Sequence, residues 1–185
     1  MTAKPAAADQ SSPGSEAPLK GFSQCHAGIL FQLDQLAELP ALLAAAAQAR
    51  SVAAKTLALF SKGVLEHHAE EEAELFPAVL RSAHPGDERD RVQGLVERLT
   101  SEHRTMELLW KRVEPAVSAS AKGRPAEIDA AVVAELVRGY GRHARFEEEE
   151  FLPLADVILG RDGNHMAALG LALHMRHAHQ PVGYI

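Results

Sequence analysis

The sequence predicts an all-α protein: an up-down-up-down four-helix bundle with an additional C-terminal helix. Hydrophobic residues make up 46% of the 185 positions and aromatics only 5%. Alanine and leucine dominate the apolar set, which favours helices over sheets. Apolar residues recur at alternating steps of three and four along four long stretches, the spacing of one buried helical face. Short connections separate these stretches, and short connections make neighbouring helices antiparallel.

The first helix is expected to start near Gly21 or Phe22, after a disordered arm at residues 1–20 that is rich in Pro, Ala, Ser and Gly. Its stripe is Phe22, His26, Ile29, Leu33 and Leu36, and Pro40 ends or kinks it, with the alanine-rich ALLAAAAQ that follows able to resume helix. The second, from about Ser51 to Arg81, carries Leu57, Phe60, Val64, His67, Glu71, Leu75 and Ala78. His84-Pro85-Gly86-Asp87 reads as a turn, with Asp87 a candidate N-cap. The third, from about Glu88 to Val117, carries Val92, Val96, Leu99, His103, Met106 or Glu107, Trp110 and Val113; the segment SASAKGRP is a loop. The fourth, from about Ala126 to Ile158, carries Val133, Leu136, Tyr140, His143, Glu147, Phe151 and Leu154. A shorter helix over 164–179 and a stop at Pro181 complete a C-terminal tail, residues 161–185.

Length fits a single main domain at residues 21–160. The net charge of −6 comes with no basic block, which argues against nucleic-acid binding. The lone Cys25 excludes an intrachain disulfide framework and cysteine-rich metal sites. No uninterrupted apolar run approaches the ~18 residues of a membrane span. The N-terminus lacks the apolar centre of a secretory signal, so a cytoplasmic protein is expected.

An internal repeat concentrates the chemistry. The segment EHHAEEEAELFP, Glu66 to Pro77, returns as HARFEEEEFLP, His143 to Pro153. A shift of 76 (143 − 67) places His67 on His143, Glu71 on Glu147 and Pro77 on Pro153. Residues four apart lie on one helical face, so each copy points an imidazole and a carboxylate together. Counted from the intervening turns at ~1.5 Å per residue, His67, His103 and His143 fall at one level, and His26 joins them. A lone histidine on an apolar stripe is more often a hydrogen-bonded core residue. Four at one level, with two carboxylates, would be costly to bury without a counter-charge. The expectation is therefore a metal site, with two ions sharing bridging carboxylates favoured over one. Nitrogen and oxygen donors without thiolate suit iron, manganese or zinc. Gly63 and Gly139, one turn before the histidines, leave space beside the site or allow close helix packing. Tyr140 donates a hydrogen bond there or packs. The other glutamates of the two runs read as a solvated face.

These residues resemble the hemerythrin-like HHE cation-binding domain: HHAEEEAELFP, then Glu102-His103, then HARFEEEEFLP, across roughly residues 22–158. The resemblance implies a four-helix bundle around a non-haem di-iron centre that engages O2, NO or peroxide, as a binding or sensing protein or as a di-iron oxidoreductase. It implies His26, His67, His103 and His143 as terminal ligands and Glu71 and Glu147 as bridges. A further ligand is His68 or Glu107, with His68 favoured. Position 107 is Glu where oxygen carriers of the family have His, and helix four carries His-x-x-x-Glu in place of their Asp, which argues against O2 transport. A sensor would need a protein partner to read its state. The third reading is a helical interaction module with structural His and Glu. His165, His174, His177 and His179 do not match the family ligands and read as a covering helix. Cys25 is a near-site thiol or a small core residue.

Overall fold

A computed structural model describes the backbone of residues 16–161 and the side chains of residues 24–161. The C-terminal helix expected over 164–179, with its four histidines, lies outside the described residues, as does most of the N-terminal arm. All regular structure among the described residues is helical. The chain divides into two units, residues 1–48 and 49–185.

Helix begins at Glu16, five residues ahead of the expected start, and α1 runs unbroken from Glu16 to Ala58 with Pro40 inside it. Of the alternatives at Pro40, an end of the helix is absent, and the alanine-rich stretch after it stays helical. A mid-helix proline costs about 3 kcal/mol, but the flanking ALLAAAAQ is built of strong helix formers that carry the helix past it. In the first unit the predicted stripe residues Ile29, Leu33 and Leu36 are exposed, as are Leu30, Phe31, Leu42 and Leu43. His26 and Cys25 are exposed as well. The helical stretch Gln24–Ser82 contains an 18-residue window of mean hydropathy 1.3, enough by length and composition to cross a membrane. A helix that buries such a face against protein has the same composition, so the window by itself assigns no membrane.

In the second unit, helix continues from α1 through a π-helical turn Leu59–Val64, α2 (Leu65–Glu70), a second π turn Glu71–Leu75, and α3 (Phe76–Ser82). The helix α4 (Asp87–Ala121) follows a turn at Gly86, whose φ of 95° suits glycine. Gly86, not Asp87, is the N-cap; Asp87, Glu88 and Asp90 fill the first turn, where their charge complements the helix dipole. The backbone N–H of His84 donates to Glu88 at 2.6 Å, and Arg161 donates twice to the same carboxylate at 2.8 and 2.5 Å. α4 continues to Ala121, past Pro115, so much of the expected loop is helix. Asp129 caps α5 (Ala130–Phe146) by accepting from Ala131 N–H at 2.9 Å and Val132 N–H at 3.2 Å. A third π turn, Glu147–Phe151, leads into α6 (Leu152–Leu159).

Two apolar clusters hold this unit together. One gathers Phe60, Val64, Met106, Trp110, Val113, Val132 and Leu136. The other gathers Phe76, Val79, Leu99, Phe151, Ala155 and Ile158. Along the segments 59–82, 87–121 and 130–159 the buried His and Glu positions fall between each segment's contributions to the two, so a polar layer is sandwiched between apolar ones. Phe60 and Trp110 stack at 4.1 Å in the first cluster. Trp110→Ala is expected to weaken the fold by about 3–5 kcal/mol, read as a lower urea midpoint.

Candidate metal centre

The polar layer is built by the three π turns and the regular face of α4. A π turn inserts one residue, which rotates every later side chain about the axis, and such turns recur at functional sites. The turn Leu59–Val64 replaces the expected step from Val64 to His67 with one to His68. His68 is therefore 1% exposed, whereas His67 is 48% exposed. The turn Glu71–Leu75 shifts the face again, so Phe76 and Val79 are buried in place of Leu75 and Ala78. His68 and Phe76 thereby occupy the inward positions that His143 and Phe151 hold on the last helix, an offset of 75 (143 − 68 and 151 − 76) instead of 76. On α4, which stays regular, Val92, Leu99, His103, Met106, Trp110 and Val113 are buried as the spacing predicts.

Three imidazoles converge. The rings of His68 and His103 stack at 3.9 Å and 3°, and His143 meets His103 edge-on at 4.8 Å. Each turns Nδ1 toward a carboxylate: His103 donates to Glu72 at 2.8 Å, His143 to Glu102 at 3.1 Å and His68 to Glu107 at 3.3 Å. A carboxylate accepts, so Nδ1 carries the proton and Nε2 keeps its lone pair. All three Nε2 atoms are buried without a hydrogen-bond partner, as are both oxygens of Glu71. His103 Nε2 lies 3.2 Å from Glu71 Oε2, without hydrogen-bond geometry.

Two groups of donors are close enough to share an ion: His68, His103 and His143, all buried, and His67, Glu71 and Glu147. His67 Nε2 is 3.4 Å from Glu71, and His143 Nε2 is 3.9 Å from Glu147. The first group offers only nitrogen and the second mostly oxygen. Glu71 stands between them. Buried donors aimed at one another without protons cost free energy, and a cation supplies what they lack. The residues fit divalent or trivalent ions with nitrogen and oxygen ligands.

The electrostatics agree. Burial, then the neighbouring His103, lowers His68 to a pKa of about 4. Burial also lowers His143. Burial and the adjacent Glu71 raise Glu147 well above the carboxylate range. Burial pushes Glu71 upward too, but contacts with His103, Glu147 and His67 outweigh it and lower it. The pair shares one proton, on Glu147, because two buried carboxylates in contact do not both ionise. His103 is lowered by burial, but Glu71 and Glu72 outweigh that and raise it.

Of the residues singled out from sequence, His67, His68, Glu71, His103, His143 and Glu147 come together. His26 belongs to the first unit. Glu107 faces the outer nitrogen of His68. Tyr140 is half-buried beside the rings of His68 and His143, at 6.2 and 5.9 Å. Neither glycine is demanded by crowding: a Cβ at Gly63 would meet only Leu59 at 3.4 Å, and one at Gly139 nothing among the described residues. Glu72 and Glu102 were missed as the partners of His103 and His143. Both pairs cross between helices, and spacing along one helix carries no signal for them.

A buried layer of imidazole and carboxylate inside a helical protein defines a cation-binding helical domain. The chain belongs to the hemerythrin HHE cation-binding domain family, whose description matches residues 17–155. It is also similar to an uncharacterized protein of Haemophilus influenzae, 24% identical over 158 residues, covering 82% of this chain and 88% of that protein. No solved structure matches.

Proposed function

We propose that this chain is a non-haem di-iron protein that engages O2, NO or peroxide as a binding or sensing protein. The observation that carries the reading is the set of buried, unpartnered Nε2 and carboxylate atoms converging from three helical segments. Iron is favoured over manganese or zinc by the family, and two ions over one by the two donor groups that Glu71 links. In this reading His68, His103 and His143 hold one ion and His67, Glu71 and Glu147 the other.

Bound iron would supply an electron-rich centre for a small diatomic or peroxide ligand. The chain's own residues set the terms. Glu72, Glu102 and Glu107 hold the imidazoles in the ligating tautomer. The two apolar clusters exclude water from above and below. The protein partner that would read a sensor state is part of the proposal.

Metal analysis with absorption spectra under anaerobic and aerobic conditions tests the reading. About two iron per chain, with charge-transfer bands that change on adding O2, NO or peroxide, is the expected result. Sustained peroxide or NO consumption over many turnovers would favour a di-iron oxidoreductase. A colourless protein, metal-free after expression in iron-rich medium and indifferent to chelator, would leave only the structural helical module.

A further inference from the structure

Behind each carboxylate that holds a buried imidazole stands an arginine. Arg98 donates through Nε to Glu102 at 2.9 Å, and Glu102 holds His143. Arg104 does the same work twice. Its Nη1 donates to Glu107 Oε1 at 3.0 Å, and its Nη2 donates to Glu72 Oε2. Glu107 holds His68 and Glu72 holds His103, and those two rings form the stacked pair. One guanidinium thus backs both members of the stack, while a different arginine backs the third ring.

We propose that Arg104 is a positioning residue that clamps Glu72 to Glu107 and thereby fixes the tautomer and ring orientation of His68 and His103 together. The proposal rests on the metal-binding reading for its consequence but not for its test. Glu72 and Glu107 are only 22% and 20% exposed, and both face the same cation. Without it two like charges adjoin, and each carboxylate gains by turning to water. A ring that loses its acceptor at Nδ1 is free to take the other tautomer, in which Nε2 carries the proton and cannot ligate. Arginine suits the task because its planar fork reaches two acceptors at fixed angles, whereas lysine offers a point charge. Arg104 is itself 53% exposed, so its replacement leaves both apolar clusters intact.

The test is nitrogen-15 NMR of the imidazoles in the metal-free full chain, followed by competition titration with Zn(II). At a pH high enough for His103 to be neutral, the wild type is expected to show Nδ1–H for His68, His103 and His143. In Arg104→Gln, His68 and His103 shift toward the Nε2–H form while His143 does not. In Arg98→Gln the pattern reverses. Arg104→Lys is intermediate. Zn(II) affinity falls about 10–100-fold in Arg104→Gln and is unchanged in Arg112→Gln, whose arginine pairs with Asp129. Unaltered tautomers in Arg104→Gln, or an equal shift of all three rings, would overturn the proposal. If the two rings shift as stated but the wild type takes up no metal, the clamp stands and the metal-binding reading falls.

Discussion

His103→Ala is expected to strip the chain of the ion held by the buried imidazoles and to destabilise the metal-free fold by about 3–5 kcal/mol. His103 is fully buried, stacks on His68 and faces carboxylates on both sides: Glu72 at Nδ1 and Glu71 at Nε2. Its removal leaves buried negative charge uncompensated and opens the centre of the polar layer. His67→Ala provides the contrast. His67 is half exposed and belongs to the oxygen-rich group, so its loss should cost close to one ion per chain and little stability. Native mass spectrometry with urea unfolding of each variant reads both effects. Equal metal content in His103→Ala and wild type would refute the assignment of the nitrogen-rich group.

Metal and protons should compete for the same layer, and the metal-free chain should lose stability as pH rises above neutrality. Glu147 keeps its proton in the fold but ionises near 4.5 when unfolded, and His103 likewise holds a proton above its ordinary value of 6.5. Between those ordinary values and the raised folded ones, the folded chain binds more protons than the unfolded chain. Stability contributed by these groups is therefore complete below the ordinary values and lost as pH climbs through the window. The slope is about 1.4 kcal/mol per pH unit for each group still protonated. His68 works in the opposite sense on the acid side. Its folded pKa of about 4 lies below 6.5, so its contribution is present above 6.5 and lost as pH falls toward 4. A cation takes the place of the protons on Glu147 and His103. Metal uptake should release protons, and affinity should strengthen with pH. Urea unfolding from pH 4 to 9, with and without iron, measures this. A metal-free chain whose stability is flat or rising from pH 7 to 9 would contradict it.

Where a helix stays regular, the residues that point inward could be read directly from spacing. On α4 the stripe Val92, Leu99, His103, Trp110, Val113 is buried as its three-and-four rhythm dictates. On the last helix Leu136, His143, Glu147 and Phe151 are buried likewise, but Val132 is buried in place of the expected Val133, and past the third π turn Ala155 is buried in place of Leu154. The rhythm fails furthest on the segment 59–82, where two π turns each add a residue. Those turns move the inward histidine from His67 to its neighbour and the inward aromatic to Phe76. A π turn has no composition of its own, because tertiary packing around the polar layer decides whether the extra residue is accommodated.

The glutamate runs divide for a similar reason. Glu71 and Glu147 could be placed inward from sequence because they sit four residues after a histidine in a repeated motif. Glu72 and Glu102 could not, since each takes its role from an imidazole on another helix. Pro40 illustrates the converse: local chemistry left an end, a kink or a resumed helix open, and the alanine-rich flank carried the helix through.

Composition, periodicity and the duplicated His-Glu motif were enough to establish a helical chain with a cation-binding layer, because those properties follow from residue type and the fixed pitch of a helix. Which of two adjacent histidines turns inward, which carboxylates brace the rings, and how Arg104 joins two of them were decided by tertiary structure alone. They depend on helical register and on distances between segments that no single helix encodes.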